Sequence, residues 1–315
     1  MMSDVICIGD ATIDISLRIA WDNPHIHLSE NTKSLTLPFG GKTSIEDGGI
    51  YVGGNASNVA VGLSKAGLST TLISDIGKDA NGDFILQELK EHGVDTRFIK
   101  QSQSVITRYS VIIEYKGERT ILAPHPKREY RLPKLFDHSW LFVSSMGIGS
   151  DALLKKLPAQ KKRFDSKIAA NPGTFQLRGG KKAFTAFLKS VDLLFVNKEE
   201  AAILTEENKK KEPDLLTALT KFGPKHIVLT DGKRGAWTLF GGRITHAKAF
   251  PAKVVAKTGA GDATASGTLA ALLYGVPPHT ATLYGMANAS GVVTEYGAHN
   301  GLLSIQNMRK IVKYT

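Results

Sequence analysis

The chain opens on a short unbroken apolar run, Val5-Ile6-Cys7-Ile8, that ends in Gly9-Asp10. A run of that length between polar residues predicts a buried strand over Asp4 to Gly9. From residue 70 onward, short β-rich runs alternate with stretches at helical spacing. Strands are predicted at 70–74, 139–144, 166–170, 192–196 and 226–230, and helices at 80–92, 150–157, 179–189 and 212–222. This rhythm predicts βαβ units: a mostly parallel sheet with helices on both faces. Two stretches break it. Ile15 to Ile50 is polar and turn-rich, with β-like fragments such as Ser34-Leu35-Thr36-Leu37, and is long for a plain loop. Val105 to Ile113 turns through Lys116-Gly117-Glu118 into Arg119-Thr120-Ile121-Leu122, a predicted hairpin. Residues from about 15–50 and 104–122 are therefore expected to pair as a small β lid on a single α/β domain spanning 1–315.

The clearest mark of chemistry is Thr258-Gly259-Ala260-Gly261-Asp262. Val254-Val255 before it reads as a strand end, and Ala263 to Tyr274 keeps small and apolar residues at helical spacing, which puts the glycines at a strand-to-helix turn. Free N–H groups and the positive end of the helix dipole meet there, and glycines let an anion approach without a Cβ in the way. Asp262 adds a carboxylate to that anion cradle. The same pattern also serves ordinary helix starts, where glycine and Asp are common for stability alone.

In open α/β sheets ligands bind beyond the carboxyl ends of strands, which gives priority to motifs just after strands. Gly53-Gly54-Asn55-Ala56-Ser57-Asn58 leads into a helix, and its glycines and two amides suit close pairing with sugar hydroxyls, or simple N-capping by Asn55 or Ser57. Asn197 and Glu200 follow the strand at 192–196. Three apart, they can turn two oxygens to one side for a Mg²⁺ that keeps most of its waters, or form an ordinary helix cap. Thr230-Asp231-Gly232-Lys233-Arg234-Gly235 reads as either a hairpin turn or a phosphate-side loop.

With 315 residues and 42% hydrophobic content the chain can bury a large core, and a single cysteine, Cys7, excludes a disulfide framework or a cysteine-based zinc site. Asp4 and Asp10 bracket an apolar run too short for a signal peptide or membrane span, so the expected location is cytoplasmic, with no membrane partner. The net charge of +11 is scattered, apart from a cluster at Lys155, Lys156, Lys161, Lys162 and Arg163 on a predicted solvated helix face. No nucleic-acid partner is expected.

Taken in order, these segments resemble the PfkB, or ribokinase-like, family of carbohydrate and nucleoside kinases, and the resemblance spans nearly the whole chain. Gly53-Gly54-Asn55 to Gly62, continuing through Gly67 and Gly77, looks like the family's N-terminal signature, and Thr258 to Asp262 like its C-terminal one. The resemblance implies a ribokinase-like three-layer α/β/α fold with a small β lid, ATP and Mg²⁺ as cosubstrate and cofactor, and phosphorylation of a small sugar, with a nucleoside or sugar phosphate as alternatives. It implies Asp262 as catalytic base, Gly259, Ala260 and Gly261 as the anion hole, and Asn197 and Glu200 as the pair that organises magnesium. It further implies substrate contacts at Asp14, Gly54, Asn55 and Asn58, an ATP site using Asn197, Thr230, Gly232 and Gly235, and Asn288 in the adenine pocket. A lid-mediated homodimer is also implied. Where the family usually carries an acidic residue two positions before Thr258, this chain has Ala256 and then Lys257, which puts a monovalent-cation site in doubt and offers the Lys257 ammonium as a partial substitute.

Rival readings are weaker. Gly40-Gly41-Lys42-Thr43 ends like a Walker motif, yet Thr36 stands where its first glycine belongs. Gly147-Ile148-Gly149 with Ala152 and Asp165 mimics a dinucleotide fingerprint but lies mid-chain without a catalytic partner, and His25 and His27 have no further metal ligands nearby in sequence. A protein that binds ATP or sugar without turnover is the non-enzyme reading, and Asp262 beside an intact glycine turn argues against it. A nucleoside substrate would call on Trp21, Phe39, Tyr51 or Tyr109 to stack a base, and a sugar phosphate on Arg108, Lys42 or Arg119.

Overall fold

The computed structural model describes residues 2–29, 31, 34–116, 118–124, 126–208 and 210–313. In chain order the strands are β1 (Met2–Ile8), β2 (Thr12–Arg18), β3 (His27–Ser29), β4 (Ser34–Thr36), β5 (Asp47–Gly53), β6 (Thr70–Gly77), β7 (Ile99–Ser102) and β8 (Tyr109–Tyr115). They continue with β9 (Glu118–Leu122), β10 (Asp137–Val143), β11 (Lys167–Ala170), β12 (Leu193–Asn197), β13 (His226–Thr230), β14 (Ala236–Phe240) and β15 (Arg243–Ala247). The helices are α1 (Asn55–Lys65), α2 (Ala80–Glu91), α3 (Asp151–Leu154), α4 (Leu157–Phe164), α5 (Thr174–Arg178) and α6 (Lys181–Leu188). After them come α7 (Lys198–Thr205), α8 (Glu212–Thr220), α9 (Ala260–Leu273), α10 (Pro278–Val292) and α11 (Ile305–Lys313).

Among the described residues, nine strands form the main sheet in the order β15-β14-β13-β12-β11-β10-β1-β6-β7. Pairing is parallel from β13 through to β7, and only β14 and β15 join antiparallel. The reason is visible in β1. Val5 and Cys7 belong to one apolar core and Ile6 and Ile8 to the other, so a continuous apolar run is buried on both faces, as a central parallel strand must be. The first core is completed by α1, α2, α9, α10 and α11, through residues such as Val59, Ile85, Leu269, Ala287 and Met308. The second is completed by α3 to α8, through Leu153, Leu157, Leu177, Phe184, Leu204 and Leu215. Cys7 is fully buried in the first core, and burial pushes its thiol up, out of reach of ordinary redox chemistry. The fold is the expected three-layer α/β/α arrangement.

The two stretches that broke the alternation do meet. β5, β2, β8 and β9 form a separate four-stranded sheet, antiparallel at β2–β5 and β8–β9 but parallel at β2–β8. The parallel pairing is possible because the long chain between β2 and β8 passes through α1, β6 and α2 before returning. Ser34-Leu35-Thr36 is a strand, as expected, but pairs with His27–Ser29 in a two-stranded sheet of its own. The hairpin of β8 and β9 forms as predicted; Gly117 at its turn lies outside the described residues.

Three local expectations are corrected. Val254-Val255 is no strand; that segment is an irregular strap whose Val255 and Ala256 N–H groups donate to the Val293 carbonyl at the end of α10. The helix expected at 150–157 is two short helices, α3 and α4, because Pro158 has no N–H to continue the first and instead fits the opening turn of the second. Strands β7, β14 and β15 were not anticipated: β7 and β15 are short edges half open to solvent with no two-sided apolar run to mark them, and β14 joins the sheet only through its antiparallel pairing with β13 and β15.

Helices α9 and α10 are small-residue helices buried nearly all round, and Asn288 fastens them. Its Nδ2 donates to the Ala263 carbonyl (3.0 Å) and to Ser266 Oγ (3.2 Å), while its Oδ1 accepts from the Leu303 N–H (2.9 Å). Replacing Asn288 by Ala removes these bonds and strands the half-buried Leu303 N–H, so a loss of roughly 2–4 kcal/mol in unfolding free energy is expected by urea titration.

Candidate functional site

A cleft of about 910 Å³ opens at the carboxyl ends of the parallel strands, between the main sheet and the four-stranded sheet. Its floor is the start of α9. Gly259 caps that helix at φ 80, a left-handed conformation that glycine adopts without strain, and a Cβ there would also sit 2.6 Å from the Cβ of Ala298. Gly261 lies inside the first turn, and a Cβ there would meet no protein atom within 4 Å. The first glycine therefore makes the turn, and the second keeps the cleft side of the turn free. Thr258 lines the same wall, and its buried Oγ1 has no hydrogen-bond partner among the described residues, an acceptor and donor left for a ligand.

Asp262 follows in the first turn of α9. It is buried, and Asn58 Nδ2 of α1 donates to its Oδ2 at 2.8 Å. Burial pushes the carboxyl up to about 7, helped by the negative charges of Glu200 and Asp14 and opposed by the Asn58 hydrogen bond and by Arg119. A helix start by itself would favour ionisation. Here the loss of solvent outweighs it, so this carboxyl titrates near neutrality instead of in the ordinary acid range.

Asp14 on β2, Gly54 at the cap of α1 and Asn55 and Asn58 in its first turn line one end of the cleft. Burial raises the Asp14 carboxyl above its usual value, partly offset by hydrogen bonds from Ser110 and Thr12. The N-capping alternative for Asn55 and Ser57 does not apply: Gly54 caps α1 without a side-chain bond, and the Ser57 hydroxyl turns back to the Gly53 and Gly54 carbonyls. Asn197, Glu200, Thr230, Gly232 and Gly235 line the other end. Asn197 and Glu200 form a reciprocal cap at the start of α7. Asn197 Oδ1 accepts from the Glu200 N–H (2.8 Å), and Glu200 Oε2 accepts from the Asn197 N–H (2.9 Å). Burial and the adjacent Glu199 push Glu200 up to about 7 despite that hydrogen bond, so its negative charge lacks a cation among the described residues nearby.

Asn288 does not reach the cleft. It is fully buried in its α9–α10 network, and its neighbours Ala289 and Val293 face the cleft instead, opposite Phe250 and Val254. Lys257 lines the cleft, but its ammonium is committed 2.5 Å from Glu118 on β9, which ties the strap before the glycine turn to the small sheet. Arg108 is also committed: it is buried in an ion pair with Asp10 and bonded to the Tyr130 hydroxyl (2.9 Å). Trp21, Phe39, Tyr51 and Tyr109 are not among the residues that line the cleft, nor are Gly147 to Gly149.

Among the polar cleft residues, Thr12, Ser110 and Asn171 escaped sequence reasoning, whereas Arg119, one of the three cations expected for a sugar phosphate, does line the wall. Asn171 was within reach, since it stands just after the strand predicted at 166–170, where ligand sites concentrate. Ser110 carried no signal, because only the pairing of β2 with β8 brings it beside Asp14, and Thr12, two residues before Asp14 on the same strand, carried no mark of its own.

A glycine turn open to the cleft at a helix start, a buried carboxyl beside it and a polar wall facing it suit a small-molecule phosphotransferase on an α/β sheet. The chain matches the pfkB family carbohydrate kinases over residues 2–305 and belongs to that family. It is 25% identical to the 5-dehydro-2-deoxygluconokinase of Halalkalibacterium halodurans over 98% of this chain and 94% of that protein. It is 27% identical to a fructokinase of Klebsiella pneumoniae over 73% and 80% of the two chains. In structure it resembles the ribokinase of Arabidopsis thaliana, solved with ribose and ATP, at a TM-score of 0.81 and 20% identity, covering both chains completely. The protein is a sugar kinase of the pfkB family.

The two glycines of the turn should separate fold from site. Gly261→Ala is expected to leave the melting temperature close to that of the wild type, because its Cβ has space, while lowering turnover by crowding the cradle. Gly259→Ala should lower the melting temperature itself, through positive φ and the clash with Ala298. Thermal melts and initial rates on the same preparations check both.

Proposed function

We propose that the protein transfers the γ-phosphate of ATP to a primary hydroxyl of a free sugar, with Asp262 accepting the hydroxyl proton. The observation that carries this reading is the buried Asp262 carboxylate, hydrogen-bonded by Asn58 and set one residue beyond the open face of Gly261. The oxygen–hydrogen bond of the acceptor breaks toward Asp262 as its oxygen bonds to phosphorus, and the bond from phosphorus to the ADP oxygen breaks. The free amides at the start of α9 face the transferring group and offset its charge without reorganising.

Asp14, Gly54, Asn55 and Asn58, joined by Thr12, Ser110 and Asn171, form the sugar end: a wall of short amides, hydroxyls and a carboxylate suits a polyol. Thr230, Gly232, Gly235 and Asn197 form the nucleotide end, and the apolar pair Ala289 and Val293 takes the place expected of Asn288 against the base. Asn197 and Glu200 suit a magnesium ion held through water, since both offer oxygen and Glu200 carries a half-buried, poorly solvated charge that a cation would relieve. When bound, magnesium supplies positive charge to the phosphates. The ribose and ATP in the Arabidopsis ribokinase support both ligands for this fold. The outer lid strand β9 is exposed along its length, an edge open to pairing with a second copy.

A free sugar is favoured over a nucleoside because none of the four lid aromatics faces the cleft. A sugar bearing an anionic group is the second reading. Arg119 favours it, being an arginine that lines the cleft, whereas Arg108 is consumed by Asp10. ADP release across ribose, fructose, glucose, 2-keto-3-deoxygluconate, 5-dehydro-2-deoxygluconate, fructose 6-phosphate and adenosine tests both, and silence on every sugar with ATP bound would defeat the proposal.

Asp262→Asn is expected to keep substrate binding and lower kcat by ~10²–10⁴. Because the base must be ionised, wild-type kcat/KM should rise with pH through about 7 and then level. The stability effect has the opposite sense. A carboxyl raised on folding binds more protons folded than unfolded, so it costs stability progressively as pH rises from its ordinary range through about 7. The Asn variant lacks that cost and should melt above the wild type at pH 8, with the gap closing toward pH 4.

A further inference from the structure

Behind the catalytic carboxylate, on the side away from the cleft, three side chains converge. Glu88 and His92 stand one turn apart near the end of α2, and His299 comes from the segment between α10 and α11. Glu88 Oε1 lies 2.6 Å from His299 Nδ1 and 3.9 Å from His92 Nε2. The two imidazole rings stand edge to face, centroids 5.6 Å apart, and one donor atom from each of the three residues falls within 4.8 Å of the others. His299 is buried, while Glu88 and His92 are half-buried and leave an approach from solvent.

The hydrogen bonds around His299 ask for a positive charge. Its Nε2 lies 3.1 Å from Asn58 Oδ1. The orientation of that amide is set from its other end, where Nδ2 donates to Asp262 Oδ2. Both ring nitrogens of His299 therefore face oxygens that accept: the Glu88 carboxylate on Nδ1 and the Asn58 carbonyl oxygen on Nε2. A neutral imidazole carries one N–H and can serve only one of them. Either a second proton or a metal ion at Nδ1 resolves the conflict. A metal also explains what a proton does not, namely a second imidazole turned toward the same carboxylate.

We propose that Glu88, His92 and His299 bind a divalent transition metal of the zinc class. Two imidazole nitrogens and one carboxylate oxygen, with water as fourth ligand, suit zinc, whereas magnesium prefers oxygen alone. Zinc–nitrogen bonds of ~2.0–2.1 Å in a tetrahedron set donors about 3.3 Å apart, so the Glu88–His299 contact opens and the others close by no more than about 1.5 Å. In that state His299 Nε2–H donates to Asn58 Oδ1, the outer hydrogen bond that histidine ligands ordinarily make. Asn58 then presents its N–H to Asp262, which links the metal site to the base; this link, unlike the binding itself, rests on Asp262 being the base.

The test strips the full-length protein with a chelator and titrates zinc chloride against a zinc-binding dye, without nucleotide, sugar or magnesium. The wild type should take up one zinc per chain, and His92→Ala should bind at least about tenfold more weakly. His92 touches neither Asn58 nor Asp262, so unchanged basal turnover would show that variant to be folded. Cobalt in place of zinc should give the visible absorption of a four-coordinate site in the wild type, lost in Glu88→Gln. Equal zinc affinity in wild type and His92→Ala, or no bound zinc, overturns the site whatever reaction the protein catalyses. With magnesium and ATP saturating, one equivalent of zinc should change the wild-type rate and leave His92→Ala unaffected. An unchanged wild-type rate overturns the link to Asp262.

Discussion

A carboxylate is buried where the first turns of two helices meet, and the rest of the site is arranged around that contact. Asp262 at the start of α9 and Asn58 at the start of α1 are 204 residues apart in sequence and 2.8 Å apart in space. The helices can approach so closely because the facing surface is glycine and serine: a Cβ on Gly62 would lie 2.3 Å from Ser266 Oγ. Close approach excludes water, and exclusion of water is what lifts the carboxyl toward neutrality. One packing constraint thus sets both the position of this carboxyl, the proposed base, and its chemistry. Function here is held against stability, since an ionised carboxylate in that place is a cost the fold must carry.

The surroundings show how the cost is contained. Asn58 gives Asp262 a strong donor and is itself anchored by His299, which leans on Glu88. On the opposite side the small sheet approaches through Arg119, whose charge favours the ionised forms of both Asp14 and Asp262. Lys257 and Glu118 join strap and sheet across the cleft mouth, an exposed pair of modest worth that nevertheless marks where the two halves meet. At the proposed nucleotide end, Lys198 and Glu212 form an ionic cluster with Asp231 and Arg234 of the loop between β13 and β14. Hydrogen bonding to Lys198 holds the Glu212 carboxyl down to about 2, so the cluster stays intact across the neutral range and keeps that loop in place.

The sequence by itself determined the layers and most of the motifs. Short β-rich runs alternating with stretches at helical spacing read as strands buried on both faces, which gave β1, β6, β10, β11, β12 and β13 and hence the parallel sheet. The glycine turn before Asp262, the amides after Gly53 and the loop after β13 were legible because each needs special residues in a short span. What was local was readable. Tertiary structure decided whatever depends on two distant segments meeting. It removed Asn288 from the cleft into the α9–α10 seam, turned Val254-Val255 from strand into strap, bound Arg108 to Asp10 and drew Lys257 onto Glu118. It also raised Asp262 where its helix position alone argued for ionisation. Backbone preference and hydrophobic period act over a few residues and are written in the local sequence, whereas burial, ion pairing and side-chain direction depend on neighbours that only the folded chain supplies.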